Sequence, residues 1–218
     1  DTVDFMAMAR RFDYRNPKPG HYKLEKGMTF RSLLGKLRTG NQTPVRVTFN
    51  NIRSLERLAG SVSKFIEADS ASLLAAFKSG TVASEYGFDK ADFISMFIPD
   101  TYELYWTVTP EEFIARMNKE YERFWSAGER DAKRKSLGLS RKEVSTLASI
   151  VIEESKYVPE QPRIAGVYIN RLRKNMPLQA DPTVKYAVGD PTLKRILFKH
   201  LEVESPYNTY KHTGLPPG

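Results

Sequence analysis

The sequence predicts an α+β protein: a small N-terminal α/β module followed by a mainly helical domain. Three observations predict it. Val45, Val47 and Phe49 alternate with Arg46, Thr48 and Asn50, the two-residue period of a half-buried strand. Elsewhere apolar residues recur at i, i+3, i+4 and i+7, as at Phe30, Leu33, Leu34 and Leu37, the period of a helix packed along one side. Helix starts then accumulate in the second half, where Thr109-Pro-Glu-Glu112 and Ser140-Arg-Lys-Glu143 each offer a reciprocal cap. At 218 residues the chain can bury a core of one large domain or two small ones.

Taken in order, Val3, Met6, Met8 and Ala9 suggest a short helix or ordered arm, closed by Asn16-Pro-Lys-Pro-Gly20. Tyr22 and Leu24 alternate with polar neighbours as a short strand. Thr29 then caps a helix that Gly40 ends. After the strand at 45–49, Ser54 caps a helix with Leu55, Leu58, Ala59, Val62 and Phe65 on one side, and 70–79 forms another. Strand, helix, strand, helix in this space make a small α+β unit. The polar, glycine-containing stretch to Asp89 places the domain boundary between residues 88 and 89.

Beyond it, Pro99 in Phe97-Ile-Pro-Asp-Thr-Tyr102 argues against a helix interior. The tyrosines and tryptophan at 102–106 suit either a sugar groove or a core. The helix begun at Thr109 buries Phe113, Met117, Tyr121 and Phe124 or Trp125. Further helices are expected over 164–172, 182–188 and 193–198, with a loop or short strand at 176–181 and a turn-rich tail from Pro206. No internal repeat or low-complexity segment is present.

Composition narrows the chemistry. Without cysteine there is no disulfide, thiolate metal site or cysteine nucleophile. His21, His200 and His212 are scattered without metal-ligand spacing, so no metal is expected. No Gly-x-x-x-x-Gly-Lys-Ser/Thr loop or Gly-x-Ser-x-Gly elbow occurs, and no cofactor is expected. A net charge of +8 favours an anionic partner, whether nucleic acid, membrane surface or acidic polymer. The densest basic cluster, Arg130-Asp-Ala-Lys-Arg-Lys135, lacks the interleaved aromatic residues of a single-strand binder, so nucleic acid is not the expected partner. No run reaches the roughly 18 apolar residues of a membrane helix, and no signal-peptide pattern opens the chain.

The focal stretch is Leu147-Ala-Ser-Ile-Val-Ile-Glu-Glu-Ser155, an apolar helix ending in two carboxylates. Val144, Leu147, Ala148 and Val151 form its stripe, and three residues on lies Glu154, with Glu153 about 100° away. A carboxyl among apolar groups has its charged form disfavoured and can donate a proton near neutral pH. The alternative is a solvated glutamate at a frayed helix end, although the helix dipole disfavours an anion there. For glycosidic chemistry a second carboxylate is ordinarily sought, and Asp181 in Leu178-Gln-Ala-Asp-Pro182 is the downstream candidate, or simply an Asp-Pro turn. Asn170 and Gln179 offer amides to sugar acetamido or hydroxyl groups. Tyr207, Asn208, Thr209 and Tyr210 offer rings and polar tips, or a packed turn.

In Leu147-Ala-Ser-Ile-Val-x-x-Glu154, then Gly166-Val-Tyr-Ile-Asn-Arg-Leu172, Leu178-Gln-Ala-Asp-Pro-Thr183 and Tyr207-Asn-Thr-Tyr-x-x-x-Gly-Leu-Pro-Pro-Gly218, the chain resembles the YceG-like, or MltG, family of endolytic murein transglycosylases. Pro19-Gly-His-Tyr22 and Ile98-Pro-Asp-Thr-Tyr102 resemble its upstream blocks. The resemblance implies an enzyme that cuts peptidoglycan strands internally, outside the cytoplasmic membrane, behind a single N-terminal membrane anchor. It implies a LysM-like module within residues 1–88 and a catalytic domain over 89–218 that continues past Gly218. The catalytic glutamate falls on Glu154, acting as acid and then base, and the cut strand ends in 1,6-anhydro-N-acetylmuramic acid. Asp181 then positions rather than attacks, and cell-wall synthesis proteins are potential partners. The competing expectation is a non-catalytic peptidoglycan-binding or scaffold protein using the same groove.

Overall fold

A computed structural model of the chain describes residues 2–50, 52–190 and 192–217. Among the described residues it is a mainly helical α+β structure with one two-stranded sheet, and the chain divides into two compact units, residues 1–121 and 122–218.

The first unit opens with helices α1 (Thr2–Arg11) and α2 (Phe30–Thr39). As its sequence requires, Thr29 caps α2 by accepting the Ser32 N–H, and Gly40 ends it in the left-handed conformation at φ 73°. Strand β1 (Val45–Phe49) follows, then α3 (Leu55–Val62), α4 (Ser70–Lys78) and α5 (Gly80–Glu85), and strand β2 (Asp100–Leu104). β1 and β2 are antiparallel, with Val47 opposite Tyr102 and Phe49 opposite Asp100. Val47, Phe49, Tyr102 and Leu104 are buried, while Thr48 and Thr101 join hydroxyls at 2.8 Å on the exposed face.

Two expectations change here. Residues 22 and 24 form no strand: Leu24 is exposed, and β1 takes its partner from about 50 residues downstream. The compact units also separate at Tyr121/Glu122, not between 88 and 89. The cause is aromatic packing. Phe97 lies 5.2 Å from Phe77 and stacks on Phe113 at 6.2 Å, and Phe88 meets Tyr121 at 5.3 Å between ring centroids. Residues 89–121 thus complete both the sheet and the core of the first unit. The polar run before Asp89 contains α5 rather than a linker.

Helix α6 (Pro110–Ser126) carries the chain into the second unit, which continues through α7 (Arg130–Ser136), α8 (Arg141–Glu154), α9 (Gln161–Arg173), α10 (Asp181–Val188) and α11 (Phe198–Leu201). The last short helix starts at the residue where the expected 193–198 helix was to end. Its core gathers Leu147, Ile150 and Val151 of α8, Tyr168 of α9, and Leu178 and Ala180 of the connection between α9 and α10. Among the described residues no helix is long and apolar enough to cross a membrane.

A fragment ending at residue 88 leaves β1 unpaired and removes Phe93, Phe97 and Phe113 from the core. Such a fragment should give no cooperative thermal unfolding transition by circular dichroism, whereas one ending at Ser126 should melt cooperatively.

Candidate active site

Helix α8 is held firmly at its start. Ser140 accepts the Glu143 N–H at 3.2 Å while the Glu143 carboxylate accepts the Ser140 N–H at 2.7 Å, closing the capping box. Arg141 grips Asp131 of α7 through Nη2 at 2.8 Å and Glu122 through Nη1 at 2.6 Å, and Arg134 adds a 2.6 Å bond to Asp131. Those two guanidiniums hold the Asp131 carboxyl well below the usual carboxylate range.

From this anchored start the buried side of α8 runs through Thr146, Leu147, Ile150 and Val151 to Glu154. The two terminal glutamates separate as the periodicity requires. Glu153 forms a 2.9 Å ion pair with Lys156 at the surface. Glu154 accepts a 3.1 Å hydrogen bond at Oε2 from the hydroxyl of Tyr168. Glu154 is nevertheless exposed, which corrects the expectation of a carboxyl enclosed by apolar side chains. The last buried residue of α8 is Val151, and Ile152, Glu153 and Glu154 of its final turn are all exposed.

Tyr168 lies on α9, about two turns past the short connection, and its ring is buried at 7% exposure. Burial, followed by the charge of Glu154 and the hydrogen bond to it, pushes the phenol far above its ordinary range, so it remains a donor. One turn on, Arg171 donates through Nε to the Pro177 carbonyl at 2.8 Å and through Nη2 to the side-chain oxygen of Gln179. Gln179 adopts φ 53°, an uncommon conformation for a residue with a side chain. Its N–H donates to the Thr209 carbonyl at 3.0 Å. This bond joins the loop before α10 to the one containing residues 207–210.

That junction accounts for most of the sequence-derived polar candidates. The Ala180 N–H donates to Thr209 Oγ1 at 3.0 Å, and Thr183 Oγ1 donates to the Ala180 carbonyl at 2.7 Å. The Thr209 hydroxyl therefore donates across the 2.8 Å gap to Thr183 Oγ1. Asn208 is fully buried, donates to the Leu201 and Val203 carbonyls at 2.8 and 2.9 Å, and accepts the Tyr210 N–H at 3.0 Å. Thr209 and Asn208 are thus occupied by the fold.

Tyr210 donates to Asp181 Oδ1 at 2.7 Å. Burial, the hydrogen bond to Asp181 and the charges of Asp181 and Glu154 push its phenol up to about 12. The shared electrostatic influence brings Glu154, Tyr168, Tyr210, Asp181 and Arg171 into one neighbourhood. Tyr207 is half-buried, its ring 4.7 Å from that of the exposed Tyr186. Asn170 is exposed and, two residues beyond Tyr168, faces about 200° away around α9. It does not join the cluster. Sequence reasoning did not single out Tyr168 and Arg171 as site residues, although both lie in the block Gly166-Val-Tyr-Ile-Asn-Arg-Leu172, as a phenol within an apolar stripe and a cation one turn later.

An apolar groove of about 410 Å³ also flanks α8, lined by Val144, Leu147, Ala148 and Val151 together with Ala165 and Ile169 of α9. Its lining omits Glu154 and is almost devoid of polar groups. Among the described residues no group of His, Cys, Asp and Glu could hold a metal ion.

The second unit thus holds one carboxylate hydrogen-bonded by a buried phenol and a second phenol bound to its own carboxylate. The chain belongs to the YceG-like family, whose model matches residues 2–218. It is 30% identical over 215 residues to the endolytic murein transglycosylase of Bacillus subtilis, an alignment covering 91% of this chain and 59% of that protein. The similarly named Streptococcus pneumoniae protein is 28% identical, over 98% of this chain and 44% of its own length. The chain therefore spans about half the length of the curated relatives it matches. A crystal structure of a yceG-like protein from Listeria monocytogenes superposes with a TM-score of 0.67 at 27% identity, covering 100% of this chain and 76% of the other.

Asn208→Ala leaves two carbonyls and one N–H without their partner, and should destabilise the protein by about 1–3 kcal/mol in chemical denaturation. Asp131→Asn tests the anchor of α8. Because the folded carboxyl titrates below its unfolded value of about 3.9, its contribution is complete above that value and fades as pH falls towards the folded one. The variant should melt below wild type at pH 7, with the gap shrinking progressively below about pH 4.

Proposed function

We propose that this chain forms the catalytic region of an endolytic lytic transglycosylase of peptidoglycan, with Glu154 as both acid and base. The observation that carries the proposal is Glu154 itself, held by Tyr168 at the end of α8 and close to the Tyr210–Asp181 pair. Family membership and the names of the relatives support it.

In this mechanism protonated Glu154 gives its proton to the oxygen joining C1 of N-acetylmuramic acid to N-acetylglucosamine. The C1–O bond breaks and positive charge develops at C1. The resulting carboxylate then removes the proton of the muramyl 6-hydroxyl as that oxygen attacks C1. Glutamic acid is restored, water is not consumed, and the strand ends in a 1,6-anhydro ring. A nucleophile already attached to the substrate gains from proximity, so no second carboxylate is needed to activate water. Asp181 can then remain committed to Tyr210. Because Glu154 is exposed in the free chain, the bound glycan strand must exclude water from it.

The ring faces of Tyr207 and the amide of Gln179 are the remaining groups suited to contact sugars. Asn208 and Thr209 act indirectly by holding the loop that carries Tyr210. A LysM-like module in the first unit is supported by the antiparallel β1–β2 pair with α3 and α4 between the strands. We place the working protein on the extracytoplasmic side of the cytoplasmic membrane, behind one upstream anchor and among cell-wall synthesis proteins. The net charge of +8 suits a wall polymer whose peptides carry carboxylates. The exposure of Glu154 favours one other reading, a non-catalytic glycan-binding scaffold.

Digestion of purified sacculi followed by product masses separates the two. Wild type should release fragments with anhydro ends, lighter by one water than hydrolysed ones. Glu154→Gln should lower that release by about 100-fold or more. Ordinary reducing ends would identify a hydrolase, and undiminished release by the variant would remove Glu154 from the chemistry.

A further inference from the structure

We propose that Tyr168 is the positioning residue for Glu154, binding Oε2 and thereby assigning proton transfer to Oε1. The proposal rests on the reading of Glu154 as acid and base. Among the described residues, the Tyr168 hydroxyl makes the one hydrogen bond to this carboxylate, at 3.1 Å. An exposed glutamate at a helix end is otherwise free to sample several rotamers, most of them unproductive.

Tyr168 is suited to the task because it is itself immobilised. Its ring packs in the cluster of Leu147, Ile150, Val151, Leu178 and Ala180, while its hydroxyl emerges at the rim of that core. Burial and the adjoining carboxylate keep the phenol protonated, so the donor persists throughout the working pH range. With Oε2 engaged, Oε1 is the oxygen left to release and then recover the proton.

The bond also has a catalytic direction. As Glu154 gives its proton to the glycosidic oxygen, negative charge develops on the carboxylate, and hydrogen bonds to a charged acceptor are stronger than those to a neutral one. The Tyr168 bond therefore strengthens between ground state and transition state of the cleavage step, which is the condition for raising kcat rather than affinity.

Tyr168→Phe removes the hydroxyl and keeps the ring in the core. On soluble, uncrosslinked glycan strands it should lower kcat by roughly ten- to a hundredfold, while KM stays within about twofold and the thermal midpoint remains near wild type. An unchanged kcat would overturn the proposal. So would a loss of kcat matched by a loss of affinity or of thermal stability, since that pattern marks a residue needed only for packing. A wild-type chain that releases no anhydro ends would refute the catalytic reading itself, and the role of Tyr168 with it. That outcome is distinct from an active wild type whose Tyr168→Phe variant keeps full turnover, which overturns Tyr168 alone.

Discussion

The placement of Glu154 in the second unit depends on the packing of α9 against the buried side of α8. Leu147, Ile150 and Val151 supply one surface, and Tyr168 is the side chain that belongs both to that core and to the site. Its ring contributes apolar area removed from water, which fixes its position, and its hydroxyl extends just far enough to meet Glu154. The position of the carboxylate therefore follows from the same apolar contacts that stabilise the unit.

The polar residues around Glu154 divide into two groups by how their hydrogen bonds are used. Thr209, Thr183 and Asn208 are buried and satisfied internally, binding the loop before α10 to the loop after α11. Asp181 and Tyr210 pair with each other closer to the surface. Gln179, with its left-handed backbone, is restrained by Arg171 through its side chain and by Thr209 through its N–H. Buried donors and acceptors left unpaired are costly, so the inner group cannot exchange its partners for a ligand without loss of stability. Outer groups are not bound by that constraint.

The same distinction explains which residues could be recognised in advance. Helix caps at Thr29, Ser54 and Ser140 are local, and their sequence signals match the observed bonds. The choice of Glu154 over Glu153 is also local, because helical period alone sends one towards the core side and the other to the exterior, where it pairs with Lys156. The expected strand at Tyr22 failed for the opposite reason. Alternation shows that a segment can pair but does not name its partner, and β1 found one at Asp100–Leu104. With that partner came Phe97 and Phe113, which moved residues 89–121 into the first unit.

By itself, then, the sequence determined the helices with clear periods and caps, the strand at Val45–Phe49, and the orientation of Glu154 on its helix, since each depends on neighbours within a few residues. Tertiary structure decided the sheet partner, the division into units, the exposure of Glu154, and the separation of Asn208 and Thr209 from Tyr210 and Asp181. These depend on contacts between residues distant along the chain, where one-dimensional spacing carries no distance. Tyr168 illustrates the limit: fourteen residues from Glu154 and one more member of an apolar stripe, it becomes that carboxylate's partner only when α9 folds back on α8.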